Sequence, residues 1–216
     1  LHGMIMADYY IKSGDAKKIL VIGAETLSRV SDPHDRDSMI YSDGAGAVLV
    51  EATERGAGIL SHATRSDTFR EAHLLWMDKS YNPAFKAGRL FLKMQGHEVY
   101  KYAVKTVPEV VRKSLDKAGL TLADVKKILI HQANQKMDEA ILRRLFRSYG
   151  IEDIPERIMP MTISWLGNSS VATLPTLYDL LQRGKLNNHR LQPGDVVVFA
   201  SVGAGMNVNS MVYRAP

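Results

Sequence analysis

Short apolar runs punctuated by turn residues constrain this chain more than any other feature. "KKILVIGAE", "GAGAVLVEA", "GAGILSHAT" and "VKKILIH" each stop after a few residues, and "GDVVVFASVGAGMNVNSMVYRAP" reads as two such runs joined by a small-residue turn. Runs of this length, rich in Val, Ile and Leu on successive positions, are expected to be strands covered on both faces. Segments with helical spacing lie between them. Strand and helix in alternation predict an α/β protein with helices packed on both sides of a sheet. Three strand-to-turn segments, "ILVIGAETL", "ILIHQANQK" and "VVFASVGAG", are loosely alike and suggest a weak internal repeat.

The helices follow from period and caps. "LHGMIMADYYIKSG" repeats Met4, Ala7, Tyr10 and Ile11 at helical spacing, with Gly14 to end it. It starts with Leu and without an N-cap, so the expectation is a piece of a longer protein. "GHEVYKYAVKTVPEVVRKSLDKAGL" predicts a long helix with Val99, Tyr102, Val110 and Leu115 on its apolar stripe, a bend at Pro108 and a stop at Gly119. A third helix begins near Asn134, its cap, with Asp138 and Glu139 suiting the first turns and Ile141, Leu142 and Leu145 facing inward. "SSVATLPTLYDLLQRG" gives a fourth. The stretch from Arg65 to Gly88 shows no clear period and is expected to be irregular, with some helix, at the edge of a site.

Composition enters by exclusion. Zero cysteines rules out disulfides, cysteine-ligated metal and a thiol nucleophile within these 216 residues. Lys and Arg number 28 against 23 Asp and Glu, but the excess is scattered, which argues against nucleic acid as a partner. No apolar run reaches membrane-spanning length and no leader pattern opens the chain, so a cytoplasmic setting is expected. "HEVYK" has Lys101 where a zinc helix needs a second His, and "DPHDRD" lacks regular ligand spacing and reads as a solvated loop. No metal site is expected.

In a sheet covered on both faces, ligands lie beyond the carboxyl ends of the strands. His131 is there, followed by Gln132 and Asn134 at a helix start. A neutral imidazole beside a helix N-terminus can donate a hydrogen bond without carrying charge, which suits an anion formed during a reaction. In "TISWLGNSSVATLP", Gly167 lets the backbone turn, Asn168 offers an amide, and Ser169 and Ser170 can cap the next helix. Taken alone, Asn168 reads as part of that cap. "SVGAGMN" is followed by a strand pattern, so it is no dinucleotide fingerprint; its backbone N–H groups can approach a substrate oxygen. Gly44 and Gly46 in "YSDGAGAVL" are expected to allow tight packing.

In this order, "DPHDRDSMIYSDGAGAVL", "MQGHEVYKYAV", "HQAN" after a strand, "GNSS" opening a helix and the terminal "GAGM" turn resemble the β-ketoacyl-acyl carrier protein synthase III family of the thiolase-like superfamily. The resemblance implies a layered αβαβα fold of two similar halves, residues 1–55 ending the first and residues 56–216 forming the second. It implies decarboxylative condensation of an acyl-CoA starter with malonyl-acyl carrier protein in fatty acid biosynthesis, with both thioesters as substrates and no further cofactor. His131 and Asn168 match two members of a Cys–His–Asn triad whose cysteine is expected a few residues before Leu1, leaving this chain alone inactive. Ala204 and Gly205 match a backbone oxyanion site. Arg36, Gly96 and Asn134 match CoA contacts, and Gln132 and Lys136 carrier-protein contacts. His97 departs from an expected Asn. A homodimer is implied for the full-length protein. Two further readings are a specialised ketosynthase of secondary metabolism and a non-catalytic partner subunit.

Overall fold

The computed structural model describes every residue except Arg55 and Ala87. Helix α1 (His2–Ser13) ends at Gly14, whose φ of 85° lets its N–H reach the Ile11 carbonyl. Strands β1 (Lys18–Thr26) and β2 (Asp43–Glu51) then pair antiparallel, Lys18 opposite Glu51 and Thr26 opposite Asp43. Their inner face is packed closely. A Cβ on Gly46 would lie 2.6 Å from Pro175 Cγ, and one on Gly44 would lie 2.9 Å from Ser169 Cβ, so both positions need glycine. The outer face is uncovered, with Leu20, Ile22 and Leu49 at 58%, 63% and 61% exposure. That corrects the expectation of burial on both faces. Helix α1 and the segment through Pro175 reach only one side, so the apolar run alternates between contact and solvent.

The larger sheet runs β3 (Gly58–Ser66), β8 (Asn207–Arg214), β7 (Val196–Gly203), β6 (Val125–Ile130) in space. β6 and β7 are parallel, and β8 is antiparallel to both of its neighbours. Here the prediction of two covered faces holds. Helices α2 (Gly96–Ala118) and α3 (Gln135–Arg147) close one face around Leu115, Ile128, Leu145, Val198 and Val212. Helix α5 (Thr173–Gln182) closes the other, its Leu177 and Leu181 packing with Val197 of β7, and Met4 of α1 and its cap Leu1 lie beside them. Each such buried side chain contributes about 1.5–3 kcal/mol of transfer free energy. Pro108 lies inside α2 without ending it, and Gly119 caps it at φ 67°. A short helix α4 (Ile163–Leu166) leads into α5.

The irregular excursion is more ordered than its sequence predicts. β4 (Leu75–Asp78) and β5 (Phe91–Met94) form an antiparallel ribbon, Leu75 opposite Met94. "DPHDRD" is not simply a solvated loop either. Asp32 is 1% exposed and its carboxylate is bonded by the buried Lys93 ammonium, the Tyr81 amide (2.8 Å), the His34 amide (3.0 Å) and the Ser80 hydroxyl (2.8 Å). Lys93 Nζ also lies 3.6 Å from the Tyr81 ring centroid. The expected division of the chain at 55 falls on Arg55, outside the described residues.

Asp138 departs from its expected role. It stands in the first turn of α3, yet it is 0% exposed and neither carboxylate oxygen has a partner among the described residues. Burial pushes its carboxyl well above the usual carboxylate range, with Glu139 adding to the shift. Folded protein therefore binds the proton more tightly than unfolded, and the cost of Asp138 grows as pH rises above the ordinary carboxylate value. Asp138→Leu is expected to stabilise the fold by about 1–3 kcal/mol near neutral pH. Urea denaturation should show a smaller gain at pH 4 than at pH 7.5; an equal gain at both would contradict this account.

Candidate active site

The site is built where β6 ends. The His131 amide donates to the Ala200 carbonyl (2.9 Å), which fixes residue 131 beside the parallel strand β7. Its ring Nδ1 lies 2.6 Å from the hydroxyl of Thr173, the first residue of α5. Burial pulls the imidazole well below its usual range, so it is neutral at pH 7. Asn134 accepts from the Met137 amide through Oδ1 (2.9 Å) as N-cap of α3, which leaves its Nδ2 without a partner among the described residues.

Asn168 arrives through Gly167, whose φ of 68° and ψ of −167° suit only glycine; a Cβ there would meet the Ile40 carbonyl at 3.0 Å. The Asn168 amide donates to Ile40 O (2.7 Å) and its carbonyl accepts from the Ser42 amide (2.9 Å). Its side-chain Oδ1 accepts from the Ser170 amide (2.9 Å). That bond fixes the orientation of the side chain and leaves Nδ2 as a donor with no partner among the described residues. Ser169 makes no side-chain cap, and Ser170 has a positive φ, so the expected capping by these serines gives way to an Asn168 turn.

β7 and β8 are joined by Ala204–Met206, with Gly205 at φ 71° and Met206 at φ 49°. The turn is pinned from outside. The Asp67 amide donates to the Met206 carbonyl (3.2 Å), the Tyr102 hydroxyl lies 3.0 Å from that carbonyl and 2.8 Å from the Asp67 carboxylate, and Asn207 Nδ2 donates to the Ala204 carbonyl (3.0 Å).

These pieces surround one cavity of about 670 Å³. His131, Asn168, Ala204, Asn134 and Gly96 line it, as does Leu1. Leu75, Met77, Leu92 and Met94 of the β4–β5 ribbon provide part of its apolar wall. Gly205 is in the turn but not on the wall. Arg36 and Lys136 are exposed and away from it, as is His97, next to Gly96. Gln132 corrects an expectation: it is 0% exposed, its Nε2 donating to the Ile130 carbonyl (2.9 Å) and its Oε1 accepting from the Thr162 amide (2.7 Å). It braces the histidine strand against the segment leading to Asn168 and presents nothing to a partner surface. Sequence reasoning also missed Thr173, whose partner is 42 positions away. No group of three or more metal-ligating side chains occurs among the described residues, and no described helix is long and apolar enough to cross a membrane.

Comparison with known proteins gives consistent matches. The family model described as 3-oxoacyl-[acyl-carrier-protein] synthase III matches residues 1–68, and that of the synthase III C terminal matches residues 115–215. The β-ketoacyl-[acyl-carrier-protein] synthase III 1 of Bacillus cereus is 33% identical over 99% of this chain, which covers 62% of that relative. The crystal structure of 3-oxoacyl-[acyl-carrier-protein] synthase III from Aquifex aeolicus superposes with a TM-score of 0.81 at 32% identity, over 99% of this chain and 63% of its own. The priming β-ketosynthase from the R1128 polyketide pathway superposes with a TM-score of 0.81 at 26% identity, over 100% and 62%.

Proposed function

Because this chain belongs to the 3-oxoacyl-[acyl-carrier-protein] synthase III family and has its thiolase-like α/β fold, we propose that it forms the condensing part of a synthase active site. The chain spans about 62% of the curated relative's length. In the proposed reaction an acyl group from acyl-CoA is held as a thioester on a cysteine. Malonyl-acyl carrier protein loses carbon dioxide, its bonding electrons becoming an enolate. The enolate carbon attacks the thioester carbonyl, and collapse of the tetrahedral intermediate releases the β-ketoacyl product and the thiolate.

The observation that carries this reading is the cavity shared by His131, Asn168, Ala204 and Leu1. His131 is neutral and Asn168 has a free Nδ2, so both can serve as uncharged donors to the enolate oxygen without fixing a cation beside the carbanion. Ala204 and Gly205 would offer a backbone N–H to the thioester oxyanion. A cysteine delivered near Leu1 would face the same space. Gly96 and Asn134 line the approach for the CoA arm, while Arg36 and Lys136 are surface cations for the adenine end of CoA and for an acidic carrier protein. A cytoplasmic homodimer with its first half ending near residue 55 belongs to the same proposal.

A second reading is the priming ketosynthase of a secondary-metabolite pathway, which the likeness to the R1128 enzyme favours. Intact mass after incubation with acetyl-CoA tests the common chemistry. These 216 residues contain no cysteine and are expected to keep their mass. A protein that joins them to the expected cysteine-bearing segment should gain an acyl group that hydroxylamine removes. Stable acylation of the cysteine-free chain, or none of the joined protein by any acyl-CoA, would defeat the proposal.

A further inference from the structure

A neutral imidazole carries one N–H, and the nitrogen that holds it decides whether the ring offers the cavity a donor or a lone pair. We propose that Thr173 sets this choice, its hydroxyl donating to His131 Nδ1 and so holding the proton on Nε2, toward the cavity. The Thr173 hydroxyl has a single hydrogen and two candidate acceptors, His131 Nδ1 at 2.6 Å and the Ser170 carbonyl at 3.0 Å.

Three observations assign it to the histidine. First, His131 Nδ1 at 2.6 Å is the nearer acceptor, and the Ser170 carbonyl at 3.0 Å is at the long end of the range of about 2.5–3.0 Å for a hydroxyl donating to oxygen. Second, Ser170 O already accepts the Thr173 backbone N–H, so withdrawing the hydroxyl does not orphan it. Nδ1 has no other partner among the described residues. Third, Thr173 is 4% exposed at the start of α5, where a β-branched side chain has few χ1 choices. The alternative arrangement, with Nδ1–H donating to the threonine oxygen, would turn a bare lone pair toward the cavity. Such a ring could take up a proton but could not stabilise an oxyanion beside Asn168 Nδ2.

Thr173 is thus a positioning residue acting through His131. The tautomer itself does not depend on the reaction; its kinetic consequence rests on the synthase reading above. The test is the tautomer of His131 in the ¹⁵N-histidine-labelled chain, read at neutral pH from proton–nitrogen correlations. The wild type should hold its proton on Nε2 alone. Thr173→Val should give a mixture of tautomers, and Thr173→Ser should restore the single form. A proton on Nδ1 in the wild type would overturn the assignment without recourse to any variant, and so would an unchanged Nε2 tautomer in a folded Thr173→Val. In the acyl-accepting protein, Thr173→Val should lower kcat by about 10–100-fold with little change in KM, the range for partners that orient a functional histidine. An Nε2–H tautomer in a protein that takes up no acyl group would sink the synthase reading and leave the Thr173 assignment standing.

Discussion

Replacing His131 by alanine in the acyl-accepting protein should lower the rate of condensation by about 10²–10³-fold, the cost of removing one preorganised oxyanion donor. Asn168→Ala should fall in the same range. Both side chains would serve one developing charge, so the double variant should lose less than the product of the two. KM for malonyl-acyl carrier protein should change little, because the lost contacts strengthen only as the enolate forms. The pH dependence carries a sign of its own. Burial lowers the titration of His131, so a fall from pH 8 to pH 5.5 should reduce the rate less than protonation of an ordinary imidazole would. The comparison to make is steady-state condensation by wild type and both single variants across that interval. A His131→Ala rate within a fewfold of wild type would remove the residue from the mechanism.

The second large effect concerns stability. Asp32→Ala should destabilise the fold by about 3–5 kcal/mol, since it strands the Lys93 ammonium, 1% exposed, and orphans two backbone amides. Lys93→Met should cost less. It leaves Asp32 its bonds from His34, Tyr81 and Ser80, whereas loss of Asp32 leaves Lys93 with Asp35 at 3.9 Å and the Tyr81 and Phe91 rings among the described residues. Urea denaturation of the two variants gives the order, and an Asp32→Ala cost no greater than that of Lys93→Met would refute it. Burial works against ionising Asp32, but Lys93 and the other donors outweigh it and hold the carboxyl well below the usual range. A depressed carboxyl stabilises at all pH values above its unfolded titration and loses that contribution as pH falls below it. Asp138 has the opposite sign, so acid should weaken the Asp32 cluster while relieving α3.

The chain's alternation of strand and helix was legible because it depends on spacing; α1, α2 and α3 lie where period and caps put them, and α5 follows its period without the serine caps. His131 stands out by a local signal, a polar residue ending an apolar run, whereas Asn168 alone reads as a cap and stands out only through the resemblance of "GNSS". What stayed hidden depends on neighbours distant in sequence. Nothing within "DPHDRD" announces that Asp32 meets Lys93, 61 positions away. Thr173 looks like any helix-start threonine until His131 is placed against it. Gln132 reads as exposed beside a strand end, and only the approach of Thr162 encloses it. The outer face of β1 and β2 misled for the converse reason, since an apolar pattern states what a strand could bury and not what reaches it.

The spatial order of the larger sheet also bears on how this protein comes off the ribosome. β8 is made long after β3, yet it fills an interior position between β3 and β7. Thr64 on β3 meets Asn209 on β8, 145 positions later. At about 5–20 residues per second, β3 waits roughly 7–30 s for that partner. During that interval its edge is open to whatever else is at hand, and the core beneath α2 cannot close. A nascent chain of this topology is therefore a natural client for chaperones that shield unpaired strands, and a ribosome stalled ahead of β8 would leave β3 without the strand that joins it to β7.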